Sequence, residues 1–210
     1  MDKDSFDAAL PEILPHFNQT LEFLKYTIDE WRPCGSYLMN GQTLAYEPIM
    51  YPKQKLLYAA AKGKRRCVEV GVHAGHSMLI MLIANPELII DCFDICVWEH
   101  TEKCVTYLNE KFGNRIRLFK GDSLTTLPSG TAEVTYDLAH IDGDHRIEVI
   151  RREVEILTPR LEAGATLVFD DIDTTGLFDF VRTLPCKSVE IPNCPWKNCV
   201  VTGFGGVKNQ

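Results

Sequence analysis

The feature that most constrains this chain is a change of rhythm at Lys64. From there on, short apolar runs at residues 67–70, 88–93, 116–119, 136–141 and 166–169 alternate with stretches of helical spacing at 75–84, 99–112 and 146–157. Continuous apolar runs suit strands covered on both faces, and strand–helix alternation implies a parallel sheet with helices on either side. Two further β-rich runs, 188–191 and 198–202, are joined by Pro192-Asn193-Cys194-Pro195-Trp196. A link so short and turn-rich reads as a hairpin, which puts an antiparallel pair at one edge. The expected fold is α/β, a three-layer sandwich around a mostly parallel seven-stranded sheet with an antiparallel C-terminal strand.

The first ~60 residues behave differently. Phe6, Leu10, Ile13, Leu14, Phe17, Leu21, Leu24 and Ile28 recur at helical spacing, interrupted by Pro11 and Pro15. They predict one or two amphipathic helices ending near Trp31-Arg32-Pro33. An irregular stretch with Gly35, Gly41, Tyr37, Tyr46 and Tyr51 follows, then a helix from Pro52 to Lys62, with Gly63 as its stop. The division expected is a helical cap or lid over residues 1–63 and one compact unit over 64–210.

Composition narrows the class. Apolar residues at 45% and charged ones at 24% exclude a disordered or collagen-like chain. The 22 Lys and Arg against 29 Asp and Glu leave a net charge of −7, without the broad basic footprint of a nucleic-acid binder. The local basic stretch Lys53, Lys55, Lys62, Lys64, Arg65 and Arg66 reads as a solvated helix face. No apolar run is long enough to span a bilayer, and Met1-Asp2-Lys3-Asp4 does not open a signal peptide. Eight cysteines without a Cys-x-x-Cys pair read as reduced, mostly structural thiols, so a cytoplasmic protein with no membrane partner is expected.

Two constellations carry chemistry. The first strand runs into Glu69-Val70-Gly71-Val72-His73-Ala74-Gly75-His76-Ser77, where Gly71 permits a sharp turn and Gly75 a close helix start. Asp94 ends the second strand, where a carboxylate can accept both hydroxyls of a ribose. A dinucleotide fingerprint would need glycine at the position of His73. The second constellation is Asp142-Gly143-Asp144-His145 after strand four and Asp170-Asp171-Ile172-Asp173 after strand five. Parallel neighbours place both clusters on one sheet edge. Gathered carboxylates ask for a compensating positive charge, and a hard divalent cation supplies it. Helix capping accounts for one acid in each cluster but not for the doubling.

These residues resemble class I S-adenosylmethionine-dependent methyltransferases, whose Rossmann-like core carries acid-x-Gly-x-x-x-Gly after strand one, an acid at the end of strand two and a final antiparallel strand. The resemblance covers residues 64–203. It implies S-adenosylmethionine held by Glu69, Gly71, His73, Gly75 and Ser77, by Asp94 with Ile95, by Asp122 and Ser123 near the adenine, and by Asp142. Asp122 and Ser123 would equally cap a helix before Leu124. Within that class the acidic pattern is similar to metal-dependent catechol-type and sugar O-methyltransferases. That implies Mg2+, or Mn2+ or Ca2+, on Asp142, Asp170 and Asp171. His145 stands where catechol-type enzymes carry a lysine, and a histidine is a competent base near neutral pH. The activity so implied is O-methylation of a sugar or other small-molecule hydroxyl, with His145 as base and Asp142 beside it. Tyr37, Tyr46, Met50 and Tyr51 would form a substrate wall, or equally a homodimer contact or plain packing. The rival readings are a metal-independent methyltransferase, a nicotinamide-dependent oxidoreductase or epimerase, and a non-catalytic cofactor-binding module.

Overall fold

Every apolar run of the second rhythm becomes a strand of one sheet. The computed structural model describes residues 5–25, 36–40 and 43–205. The strands are β1 (Arg66–Val70), β2 (Ile89–Asp94), β3 (Ile116–Lys120), β4 (Tyr136–Ile141), β5 (Leu161–Phe169), β6 (Ser188–Glu190) and β7 (Cys199–Phe204). Their order is β3-β2-β1-β4-β5-β7-β6. β1 to β5 pair in parallel, whereas β7 lies antiparallel to both β5 and β6. The expected hairpin therefore forms, with β7 inserted beside β5 and the exposed β6 left at the edge.

The strands place alternate residues in two cores. On one face Cys67, Ile90, Cys92, Leu138, Val168 and Val200 pack against α1 (Phe6–Lys25), α2 (Tyr51–Ala61), α3 (His76–Ala84) and α4 (Glu99–Lys111). On the other Val68, Phe93, Ala139, Ile141, Leu167 and Val201 meet α5 (Ser123–Gly130), α6 (Ile147–Leu157) and α7 (Leu177–Val181). The apolar stripe of α1, Phe6, Ile13, Phe17, Leu21 and Leu24, belongs to the first core. Among the described residues no helix is long and apolar enough to cross a membrane.

Two differences from the sequence reading have physical reasons. α1 runs unbroken through Pro11 and Pro15. Each proline deprives the carbonyl four residues earlier of its partner, here Asp7 and Pro11. Asp7, Pro11 and Pro15 are all exposed, so water can satisfy those carbonyls. β5 begins at Leu161, well before residue 166, because Leu161 pairs with Tyr136 while Thr166 pairs with Leu138. The intervening residues form an irregularity that breaks the apolar pattern. The expected helix end at Trp31-Arg32-Pro33 and the glycines Gly35 and Gly41 lie outside the described residues.

Candidate active site

The chain leaves β1 for β2 and β3 on one side, then returns to β4 and β5 on the other. Ligands of open α/β sheets bind where the strand order reverses. Here a cavity of about 660 Å³ opens at the carboxyl ends of β1 and β4.

One half of it is shaped by backbone. Gly71 has φ +84°, and a Cβ there would stand 2.2 Å from the Asp142 carbonyl oxygen. The glycine is thus required by the close passage of β4, whose Asp142 N–H bonds the Val70 carbonyl at 2.8 Å. Gly75, at φ +72°, leads into α3 against Leu108. Asp94 fixes the turn between them: its Oδ2 accepts from the N–H groups of Val72 (2.7 Å) and His73 (3.2 Å), and its Oδ1 from Cys96 (2.6 Å). Each carboxylate oxygen has more than one acceptor site, so Asp94 can still receive a hydroxyl from the cavity it lines. His73, at φ +51°, also lines the cavity, and its buried Nδ1 has no partner among the described residues. Burial lowers its pKa, opposed by Asp94. Ile95, Val97, Trp98 and Leu124 supply apolar walls. Asp122 caps α5 by accepting from Leu124 N–H at 2.8 Å, while Ser123 donates to Glu153 Oε1 at 2.6 Å. Both line the cavity, so the capping role and the cavity position coexist at Asp122.

The other half is built from side chains. Asp142, Asp170, Asp171 and His145 all line it. His145 Nε2 stands 3.5 Å from Asp171 Oδ2, and the imidazole is 48% exposed. Asp171 has φ +46°, in the left-handed region that aspartate tolerates better than most residues. Burial, and then the charge of Asp170, raise Asp142 well above the usual carboxylate range, against the opposing pull of Lys53. The same two causes raise Asp171, opposed by His145 and Lys53. Asp144 turns away from His145 to Arg146, accepting from its guanidinium at 2.6 Å and from its N–H at 2.9 Å.

The residue missing from the sequence reading is Lys53. Taken there as part of a solvated helix face, it is 2% exposed, lines the cavity and donates to Asp170 Oδ2 at 2.8 Å. Its neighbours in that basic stretch do not share a face with it: Arg65 reaches Glu162 and Asp137, Arg66 reaches Asp91, and Lys64 bonds Thr166. Separation explains the miss, since Lys53 and Asp170 are 117 positions apart. Also unforeseen are Ser36, Met39 and Asn40 on the wall and Trp196, 45% exposed at the rim. Of the four aromatic and methionine residues expected there, Met50 lines the cavity. Tyr46 bonds Gln54 and Tyr51 bonds Asp7.

Glu69 and Ser77, expected at the cofactor, are buried and are not among the residues lining the cavity. Ser77 donates to Glu69 Oε1 at 2.5 Å, and His140 Nδ1 meets the same oxygen at 3.0 Å. His140 Nε2 meets the Tyr37 hydroxyl at 3.0 Å, and Asn198 donates to that hydroxyl at 3.2 Å. With its hydrogen on Nδ1, His140 satisfies every link: Asn198 to Tyr37, Tyr37 to His140, His140 to Glu69. This buried chain pins Tyr37 to the sheet beneath Lys53, whose ammonium lies 4.2 Å from the Tyr37 ring centre.

A divalent cation fits these residues poorly. Lys53 already holds one oxygen of Asp170. Among the described residues no group of three or more histidines, cysteines or acids comes together in a metal-holding arrangement. The expectation of a cation on Asp142, Asp170 and Asp171 counted the carboxylates without the lysine.

Comparison with known proteins agrees with this architecture. A family model described as a methyltransferase domain matches residues 68–172, half of the chain, from β1 to just past β5. The chain therefore belongs to this methyltransferase family. Among solved structures it is similar to an O-methyltransferase from Bacillus cereus in complex with SAH, at a TM-score of 0.64 and 14% identity over 88% of this chain and 90% of that one. It is similar as well to the N-methyltransferase NodS from Bradyrhizobium japonicum in complex with S-adenosyl-L-homocysteine, at 0.60 and 14%, covering 92% and 100%. At these identities the likeness is one of fold. An uncharacterized protein of Sinorhizobium fredii, y4gI, is 25% identical over 121 residues. The match takes in 52% of this chain but spans only 13% of that relative's length.

Proposed function

We propose that this chain is an S-adenosylmethionine-dependent O-methyltransferase that acts on a hydroxyl of a small molecule, with His145 as general base. The observation that carries the reading is one cavity with two unlike halves, a backbone turn fixed by Asp94 and an acid–imidazole pair at His145 and Asp171. When bound, S-adenosylmethionine supplies a methyl group made electrophilic by its sulfonium.

The chain's residues do the rest. Asp94 would accept ribose hydroxyls on its remaining lone pairs. Ile95, Val97, Trp98 and Leu124 form apolar walls suited to a purine. The carboxylates of the second half favour a cationic centre beside them by charge alone. Asp171 orients His145; in the tautomer with Nε2–H toward Asp171, Nδ1 is free to remove the hydroxyl proton. As that proton goes to His145, the acceptor oxygen forms its bond to the methyl carbon while the carbon–sulfur bond breaks. Trp196 offers a flat face and Met39 and Met50 a soft wall, a lining that suits a ring-bearing acceptor such as a sugar or a phenol. Ser36, Met39, Asn40, Met50 and Lys53 thereby serve as the acceptor wall contributed by the N-terminal cap.

The test is transfer of labelled methyl from S-adenosylmethionine to a panel of sugars, catechols and amines. Turnover on a hydroxyl acceptor is expected. His145→Gln should lower kcat by about 10²- to 10⁴-fold and leave S-adenosylhomocysteine affinity unchanged. Transfer to amines alone, or a His145→Gln enzyme with the rate and pH profile of the parent, would overturn the assignment.

A further inference from the structure

Asp142, Asp170 and Asp171 line the acceptor half, and the chain carries its own counter-charge to them. Lys53 is almost completely buried, as is Asp170 at 6% exposure, and the two are 2.8 Å apart. A lysine with water in reach extends its ammonium outward. This one is directed inward and held at both ends of the residue. Its carbonyl accepts from Asn198 at 3.2 Å, and its ammonium rests on Asp170 and the face of Tyr37. Tyr37 is itself fixed by His140 and Asn198, and its carbonyl accepts from Gln54, the next residue along α2, at 2.7 Å. The position of the charge is thus set by the sheet, by α2 and by the loop before β7 together.

We infer that Lys53 is the resident cation of the acceptor site, holding the place a divalent metal would take, so that methyl transfer needs no metal. The inference rests on the methyltransferase reading above. Three observations carry it. The ammonium occupies one oxygen of Asp170, and a divalent ion bonding that oxygen would sit close against a like charge. Lys53, Asp142 and Asp170 share the cavity wall that an acceptor would meet. Asp170 Oδ1 is buried with no partner among the described residues. An unpartnered desolvated acceptor is costly, and a second hydroxyl of the substrate would satisfy it. Lys53 then donates to the acceptor oxygen as its proton passes to His145, and the developing negative charge meets a preorganised positive one. The substrate class that follows is one with two neighbouring hydroxyls, one facing Lys53 and one facing Asp170.

Two measurements on the full chain test this. Mn2+ is titrated into the cofactor-free protein and the free-ion electron paramagnetic resonance signal is followed, a readout that needs no turnover. The wild-type chain should leave the signal undiminished at millimolar metal, and Lys53→Met, whose Asp170 has lost its counter-charge, should bind Mn2+ at least about tenfold more tightly. Micromolar Mn2+ binding by the wild type, or none by a folded Lys53→Met chain, overturns the inference whether or not an acceptor has been found. The second variant, Lys53→Met with Asp170→Asn, removes both charges and keeps the pair neutral. It should lose about 10²-fold or more in turnover with S-adenosylhomocysteine affinity unchanged. Turnover near the parent's, or a parent activity abolished by EDTA and restored by Mg2+, contradicts the role given to Lys53. Failure of every acceptor would instead count against the methyltransferase reading and leave the Mn2+ result standing.

Discussion

The two halves of the cavity differ in what holds them together. On the β1–β2 side the wall is backbone: Gly71 passes under the Asp142 carbonyl, and Asp94 collects three N–H groups within three residues of turn and two beyond its own strand. On the β4–β5 side it is side chain: Lys53 from α2, the acids from two strand ends, and Trp196 from the loop before β7. Contacts of the first kind anchor on backbone groups of adjoining strand ends: Asp94 reaches Val72 and His73 at separations of 22 and 21 positions and Cys96 at 2, and Gly71 passes Asp142. Side-chain contacts of the second kind draw on segments more than a hundred positions apart, and can be exchanged without changing the sheet. A fold of this class can keep one half and vary the other.

The comparison breaks most readily at Gly71. A Cβ 2.2 Å from backbone, together with φ +84°, leaves no relaxed solution. Gly71→Ala should cost about 4 kcal/mol or more, beyond the range of ordinary substitutions. Chemical denaturation measures it, and a loss under about 1 kcal/mol would mean the turn is adaptable rather than fixed.

A smaller effect lies between α5 and α6. Burial pushes Glu153 from 4.5 up to about 7, partly offset by the Ser123 hydroxyl, and its Oε2 is buried without a partner among the described residues. An acid whose folded pKa is raised stabilises the fold fully below its unfolded value and loses that contribution as pH rises through the folded one. Stability should therefore fall between about pH 4.5 and 7 by about 3 kcal/mol from this group. In Glu153→Gln that component disappears, so the variant should gain by a similar amount relative to the parent between pH 4.5 and 8. Parallel stability curves for the two proteins would show Glu153 to be solvated.

Legibility follows the same division. Gly71, Asp94, Asp142, Asp170, Asp171 and His145 were each readable because strand ends and turns fall at recognisable places in an alternating pattern, and all six line the cavity. The mostly parallel sheet and the antiparallel β7 followed from the same rhythm, whereas the order of the strands did not. Lys53 was not readable. In its own helix it is one of two lysines at i and i+2, with Lys55 exposed, and only the tertiary fold separates them. Glu69, which the resemblance places at the cofactor, completes the buried Ser77–Glu69–His140–Tyr37 chain. No spacing rule reveals that chain, because its members come from four segments.

The claim on which both halves depend is that the Asp94 turn binds the cofactor. Calorimetric titration of S-adenosylhomocysteine into the wild-type chain and Asp94→Ala tests it. Saturable one-to-one binding is predicted for the first, and at least about tenfold weaker binding, about 1.4 kcal/mol, for the second. Equal affinity in a folded Asp94→Ala protein, or no binding by the wild type, would contradict it.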